Sequence, residues 1–342
     1  METFFLGTYT RRVSQGVYSF NFDSRSGTAQ QLRLAIPSGD PFYLAAGPDH
    51  TLLCIDRQLN RAQPGGVQCL NDQYQTLGQS FDSSASGTYL AYDSNRQLVY
   101  LANYDLNELS IYEVRQYQLK LVDRIADTGT NGPQIEQRDG PHPHFINQTP
   151  DHRLVVCDLG VDTIFTYDVT ETHHFHLVAR HFLPAGFGPR HLRFNHDLSI
   201  AYVVGELSSQ VATLSYDAGT GQFTTLAIDH TIPTTWTAHN GAAAIRISSD
   251  NRFLYISNRG YNSIAVFAIQ TDGQLSAIQN IKVDGDFPWD IRLTAQDQYL
   301  LVANQRSDSL SIFKRDAHTG RLTLTDNTFY LPEPLAILPS PF

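Results

Sequence analysis

The sequence predicts an all-β, seven-bladed β-propeller with four-stranded antiparallel blades, closed by pairing of the first strand with the C-terminal segment. Three observations carry that prediction. One strand pattern recurs along the whole chain at a near-constant interval, its seventh copy is split between the two ends, and no stretch reads as a helix.

The recurring pattern is a Pro or small residue, a variable residue, a short apolar strand, a turn commonly holding Asp or Asn, and a second apolar strand ending in a polar residue. Pro143-His144-Phe145-Ile146 leads through Pro150-Asp151 to Cys157-Asp158-Leu159-Gly160. Pro189-Arg190-His191-Leu192 leads through His196-Asp197 to Gly205-Glu206-Leu207. Ala242-Ala243-Ala244-Ile245 leads through Ser249-Asp250 to Ser257-Asn258-Arg259-Gly260, and Pro288-Trp289-Asp290-Ile291 leads to Ala303-Asn304-Gln305. Weaker copies start at Pro41-Phe42-Tyr43-Leu44 and Gly87-Thr88-Tyr89-Leu90. A seventh first strand, Pro334-Leu335-Ala336-Ile337, has no second strand after it, whereas Phe4-Phe5-Leu6-Gly7-Thr8-Tyr9 reads as a second strand with no first. The ends therefore share a blade, which leaves no open sheet edge between them.

Outer strands complete each blade. Gly16–Phe22, Leu109–Tyr112 and Ser263–Phe267 alternate with period two, and Gly-containing turns such as Asp217-Ala218-Gly219-Thr220-Gly221 open the strands that follow. Nothing splits the array, so residues 1–342 read as one domain.

Composition narrows the partners. With 41% apolar and 17% charged residues the chain can build a core, and a formal charge of −10 excludes a nucleic-acid partner, which needs a dense cationic footprint. No apolar run approaches the ~20 residues of a membrane span. The start, Met1–Gly7, reads as a strand and not as a charged leader. Cys54, Cys69 and Cys157 sit inside apolar strands, which suits reduced core thiols in a cytoplasmic protein. A Cys54–Cys69 disulfide is the alternative.

The variable residue falls at positions 42, 88, 144, 190, 243, 289 and 335, spaced 46, 56, 46, 53, 46 and 46 residues apart. Two connections are thus long, Asp127–Gly140 and Ile232–Gly241 (with Trp236, His239 and Asn240), and both precede a first strand. First and second strands are antiparallel and joined by a short turn. The start of one and the end of the other therefore share one mouth of the channel. This topology gathers His144, Arg190 and Trp289 with Asp158, Glu206, Arg259 and Asn304, on a scaffold whose loops are free to carry function.

At these segments the sequence resembles the lactonase, or 6-phosphogluconolactonase-type, propeller family, which also includes fungal carboxymuconate cyclases. The matching stretches are Leu6–Thr10, Pro141–His144, Asp158–Gly160, Gly188–His191, Glu206-Leu207, Ser257–Gly260 and Ala303–Gln305, in order along the whole chain. The resemblance implies an active site of one His, two Arg and one Glu, matching His144, Arg190, Arg259 and Glu206, acting on a small lactone without a cofactor. The sequence departs from the family at Ala244, commonly Glu, and at Trp289, often Arg.

Lactone hydrolysis needs an activated water and a counter-charge for the carbonyl oxygen. His144 with Glu206 can take the proton, while Arg190 and Arg259 can hold the oxyanion and an anionic substituent of the substrate. The same set can equally be an ion-pair network tying blades together. Asp158, Trp289, Asn304 and His191 are the candidate substrate contacts, although pleating should turn His142 and His191 away from the mouth. The run His173-His174-Phe175-His176 lies in an outer-strand turn with a spacing that fits no closed metal site, so no metal is expected. Hydrolysis of a sugar lactone such as 6-phosphogluconolactone is the leading expectation. Muconate-type cycloisomerisation of a diacid and a non-catalytic binding platform are the alternatives.

Overall fold

Short apolar strands that alternate in burial cannot stand alone, and here each packs its buried face against the next repeat. In the computed structural model, which describes residues 1–57, 65–83, 87–195 and 199–342, 28 strands form seven four-stranded antiparallel sheets. The His196-Asp197 turn lies outside the described residues. Blades are numbered 1 to 7 from the N-terminus. Their innermost strands are Pro334–Pro339, Leu44–Ala46, Tyr89–Asp93, Pro143–Gln148, Pro189–Phe194, Gly241–Ile247 and Pro288–Leu293. Each touches the next in that order, and the seventh touches the first, so they line a central channel.

Blade 1 is the joint. Strand Glu2–Thr8 pairs on one side with Gly16–Asp23 and on the other with Pro334–Pro339, through Phe4 with Pro339, Leu6 with Ile337 and Thr8 with Pro334. Phe4, Leu6 and Ile337 are buried against Leu301 and Leu310 of blade 7. A polar latch closes the same seam: the buried Glu333 carboxylate accepts the backbone N–H groups of Arg12, Val13 and Ser14 at 2.9, 2.9 and 3.1 Å.

The described residues contain two short 3₁₀ turns, Pro48–His50 and Ile135–Gln137, and no helix long and apolar enough to cross a membrane. All three cysteines are free and buried. Cys69 Sγ sits 3.3 Å from Thr51 Oγ1 and Cys54 Sγ 3.2 Å from the Ile55 carbonyl, so both thiols pack as small core groups.

Candidate active site

His144, Arg190 and Trp289 owe their direction to β-bulges. In blade 4 Pro143 pairs with Asp158 and Phe145 with Cys157, leaving His144 as the extra residue. Arg190 is extra between Pro189–Gly205 and His191–Val204, and Trp289 between Pro288–Asn304 and Asp290–Ala303. Blade 6 bulges in the same place, between Ala242 and Ile245. A bulge sets two residues against one and re-aims the side chains. The variable residue and its successor therefore both turn into the channel: the His144 and His191 ring centroids are 5.2 Å apart, and Arg190 Nη1 is 3.3 Å from His191 Nε2. The expectation that pleating turns His191 away is corrected by this extra residue.

A cavity of about 260 Å³ opens at this mouth. His144, Glu206 and Arg259, on blades 4, 5 and 6, form one wall. Across a seven-membered ring, blades 5 and 6 face blades 1 and 2, which supply Tyr9, Arg11, Phe42 and Arg57. Thr88, Tyr104 and Asp105 of blade 3 and Trp289 of blade 7 close the sides.

Glu206 organises the first wall. Its Oε1 lies 2.7 Å from Arg259 Nη2 and its Oε2 2.8 Å from Arg190 Nε. The Arg190 contact is close but poorly directed, leaving Arg190 Nε and Glu206 Oε2 without a well-aligned hydrogen bond. Arg190 donates instead to the Ala243 carbonyl at 2.9 Å, and Arg259 to the Gly241 carbonyl at 3.2 Å. The Arg259 guanidinium carbon stands 4.6 Å from the Trp289 ring centroid, a cation–π contact. Opposite, Arg57 pairs with Asp105 at 2.7 Å over the Phe42 ring, and Arg11 with Asp40 at 3.3 Å over Tyr9.

Burial, reinforced by the Arg190 and Arg259 charges, holds the His144 imidazole far below its usual pKa, so it is neutral at pH 7. Its Nδ1 has no hydrogen-bond partner among the described residues. Burial alone would raise the Glu206 carboxyl, but Arg259 and Arg190 together outweigh it and hold the group below the usual carboxylate range. The wall thus combines a neutral imidazole with a locked carboxylate between two cations. That arrangement suits a base beside a positive field, and it makes Glu206 a weak proton acceptor.

Comparison with known proteins agrees with the seven-bladed ring. Residues 3–339 match the family described as Lactonase, 7-bladed beta-propeller. The chain belongs to this lactonase family. It is 32% identical to a 6-phosphogluconolactonase of Bacillus subtilis over 97% of both chains, and 38% identical to an uncharacterized protein of Lactococcus lactis subsp. cremoris over 99% of both. Among solved structures it resembles a protein from Lactobacillus plantarum (40% identity, 98% of both chains, TM-score 0.94). It also resembles a periplasmic gluconolactonase from Pseudomonas aeruginosa (26% identity, 99% of both chains, TM-score 0.92).

Several expectations for the site require correction. Asp158 and Asn304 do not line the cavity. They occupy the last position of a second strand. Asp158 ties down the neighbouring loop directly, its Oδ1 accepting the N–H groups of His142 and Gly160 at 2.7 and 2.9 Å. Asn304 does so through the next strand: its Nδ2 donates to Ser311 Oγ at 2.8 Å, and Ser311 donates to the Asp284 loop carbonyl at 2.9 Å. His191 and Arg190 lie beneath the cavity, lining the narrow hollow under it. Neither long loop walls the cavity; Trp236, His239 and Asn240 border a separate hollow with Leu207 and His230. The His173–His176 run lies on an outer hairpin, with His174 Nδ1 3.3 Å from Asp123.

Tyr9, Arg11, Arg57, Tyr104 and Asp105 were not anticipated. Tyr9, Arg57 and Tyr104 stand just after the loop-tying positions Thr8, Asp56 and Asn103, as Glu206 and Arg259 stand just after Gly205 and Asn258. The repeat therefore held the signal, one residue beyond where Asp158 and Asn304 were chosen.

Proposed function

We propose that this lactonase hydrolyses a monosaccharide lactone, preferring a phosphorylated aldonolactone of the 6-phosphogluconolactone type. The observation that carries the reading is one sugar-sized cavity with a neutral His144 beside Arg259 on one wall and two further guanidinium groups, Arg57 and Arg11, on the other. Water attacks the lactone carbonyl carbon while His144 takes its proton, and the carbonyl oxygen becomes an oxyanion facing Arg259. Collapse breaks the bond between carbonyl carbon and ring oxygen, and the His144 imidazolium returns the proton to that oxygen. The products are a carboxylic acid and a free hydroxyl, and the acid then releases its proton to solvent as the carboxylate, so atoms and charge balance. Glu206 orients Arg259, and Arg190 positions Glu206 from below. The phosphate reaches the far wall, where Arg57 and Arg11 can exchange Asp105 and Asp40 for it. Three buried free thiols support a reducing, cytoplasmic setting.

The test is a panel of phosphorylated and plain aldonolactones, with spontaneous hydrolysis subtracted, comparing wild type with His144→Asn and Arg259→Gln. Turnover above background by wild type, lost in both variants, is the expected result. Equal turnover in all three proteins would overturn it.

A further inference from the structure

Below the His144 level the channel carries a second group of charges that the hydrolytic reading does not use. Within a strand, residues two apart share a face. Two residues beyond His191 and Asp290 come Arg193 and Arg292, and Arg246 holds the same place on blade 6. Three consecutive blades thus aim guanidinium groups into the lower channel. The corresponding positions on blades 2, 3 and 4, two beyond Tyr43, Tyr89 and Phe145, are Ala45, Ala91 and Asn147. Two alanines facing three arginines leave room that larger side chains would fill.

The trio is under-neutralised. Arg246 Nη2 meets Asp290 Oδ1 at 2.9 Å, but Asp290 Oδ2 is already taken by the Ile337 N–H at 3.0 Å. Arg246 is buried and its Nε has no partner. Arg193 donates to the Leu192 carbonyl at 3.1 Å and sits against Tyr89 and Phe145. The side chain of the half-buried Arg292 forms no hydrogen bond or ion pair with any described residue; burial, with Arg246 beside it, draws its pKa down to about 10. Three cations against one carboxylate leave two positive charges, together with unused N–H donors, in a partly desolvated channel. Arg246 is buried and Arg193 and Arg292 are half-buried; an unpaired charge with reduced access to water is costly, and planar guanidinium forks match tetrahedral oxyanions.

We infer that Arg193, Arg246 and Arg292 form a second anion site, at the end of the channel opposite the lactone cavity, for a phosphate-type dianion. A dianion cancels the two excess charges and accepts from Arg292 and Arg246 Nε. Free phosphate and a phosphate ester share this chemistry.

The experiment is calorimetric titration with inorganic phosphate at matched ionic strength, using wild type, Arg292→Gln, Arg193→Gln and, as control for the phosphate wall of the upper cavity, Arg57→Gln. Saturable binding by wild type and Arg57→Gln is expected, with affinity at least about tenfold weaker in both lower-channel variants, the loss of one charge-assisted hydrogen bond. Arg292→Gln should keep wild-type kcat and KM on lactone and, lacking an unpaired cation, should unfold at no lower a temperature than wild type without phosphate. A parallel titration with glucose 6-phosphate separates the sources: equal affinity assigns the site to the free ion, tighter binding to the ester. Unchanged affinity in both lower-channel variants, loss in Arg57→Gln instead, or no saturable binding by wild type overturns the inference. Should Arg292→Gln fail to fold, Arg193→Gln alone decides.

Discussion

The Arg190 guanidinium lies 2.8 Å from Glu206 Oε2, yet Glu206 lines the cavity at the channel mouth and Arg190 lies beneath it. Of the two arginines on Glu206, Arg259 therefore lines the cavity and Arg190 does not.

That division sets the pH profile. In the proposed mechanism His144 works as a neutral base, and protonation removes the base, so the acid limb of kcat/KM should fall below pH 6.5. Because Arg190 helps to hold the imidazole pKa down, Arg190→Gln should move that limb upward, whereas a merely structural loss would lower kcat/KM without moving it. His144→Asn should cost about 10²–10⁴-fold in kcat, measured against spontaneous hydrolysis.

Opposite walls should separate binding from chemistry. Arg57→Gln is expected to raise KM for a phosphorylated lactone by about tenfold, the loss of one charge-assisted contact, with kcat and the plain lactone nearly unaffected. Arg259→Gln should lower kcat by about 10²–10³-fold on both substrates. Equal effects of Arg57→Gln on both lactones would remove Arg57 from phosphate recognition.

A carboxyl pair governs stability with pH. The Asp127 and Asp158 carboxyls meet, each with one oxygen that has no other partner among the described residues, and Tyr167 donates to Asp127 at 2.5 Å. Burial pushes Asp127 up to about 6 and, with Asp127 adjacent, Asp158 well above its usual value, so the folded pair keeps a proton that the unfolded chain releases near pH 4. The stability this proton confers is complete below about pH 4 and is lost as pH rises through 6 and beyond. Urea midpoints from pH 4 to 8 should show that decline in wild type and a flatter curve in Asp127→Asn.

The thiols offer a simple check. Burial raises all three cysteine pKa values, so the native protein should react slowly with a thiol reagent and the denatured protein should titrate three groups without reductant.

The ring was legible because its signals are local. Apolar alternation at a fixed interval needs only neighbouring residues, and Phe4–Tyr9 completing Pro334–Ile337 follows from counting strands. His144, Glu206 and Arg259 were placed by the same counting, helped by the family likeness. The errors come from one-residue events. A bulge inserts no recognisable residue type, so nothing in Pro189-Arg190-His191 says that both side chains enter the channel. Asp158 and Asn304 are polar at a strand end, and only the hydrogen bonds reveal that they face the loop. Arg57 follows Asp56 as Glu206 follows Gly205, yet it became meaningful only once the cavity showed which side of the strand end faces inward.

The seam of blade 1 has a consequence for biosynthesis. Blades 2 to 7 are each contiguous in sequence and can pair as they leave the ribosome, but Phe4, Phe5 and Leu6 wait for Pro334–Pro339, the last strand made. Throughout translation the earliest strand therefore keeps one apolar hydrogen-bonding edge open, a site where another nascent chain can pair. Fusing a carrier or tag behind Phe342 adds to this delay, since the final strand must still reach back across the chain before the ring can shut. Misassembly of this protein should thus begin at its N-terminus, and slow release of the C-terminal segment should increase it.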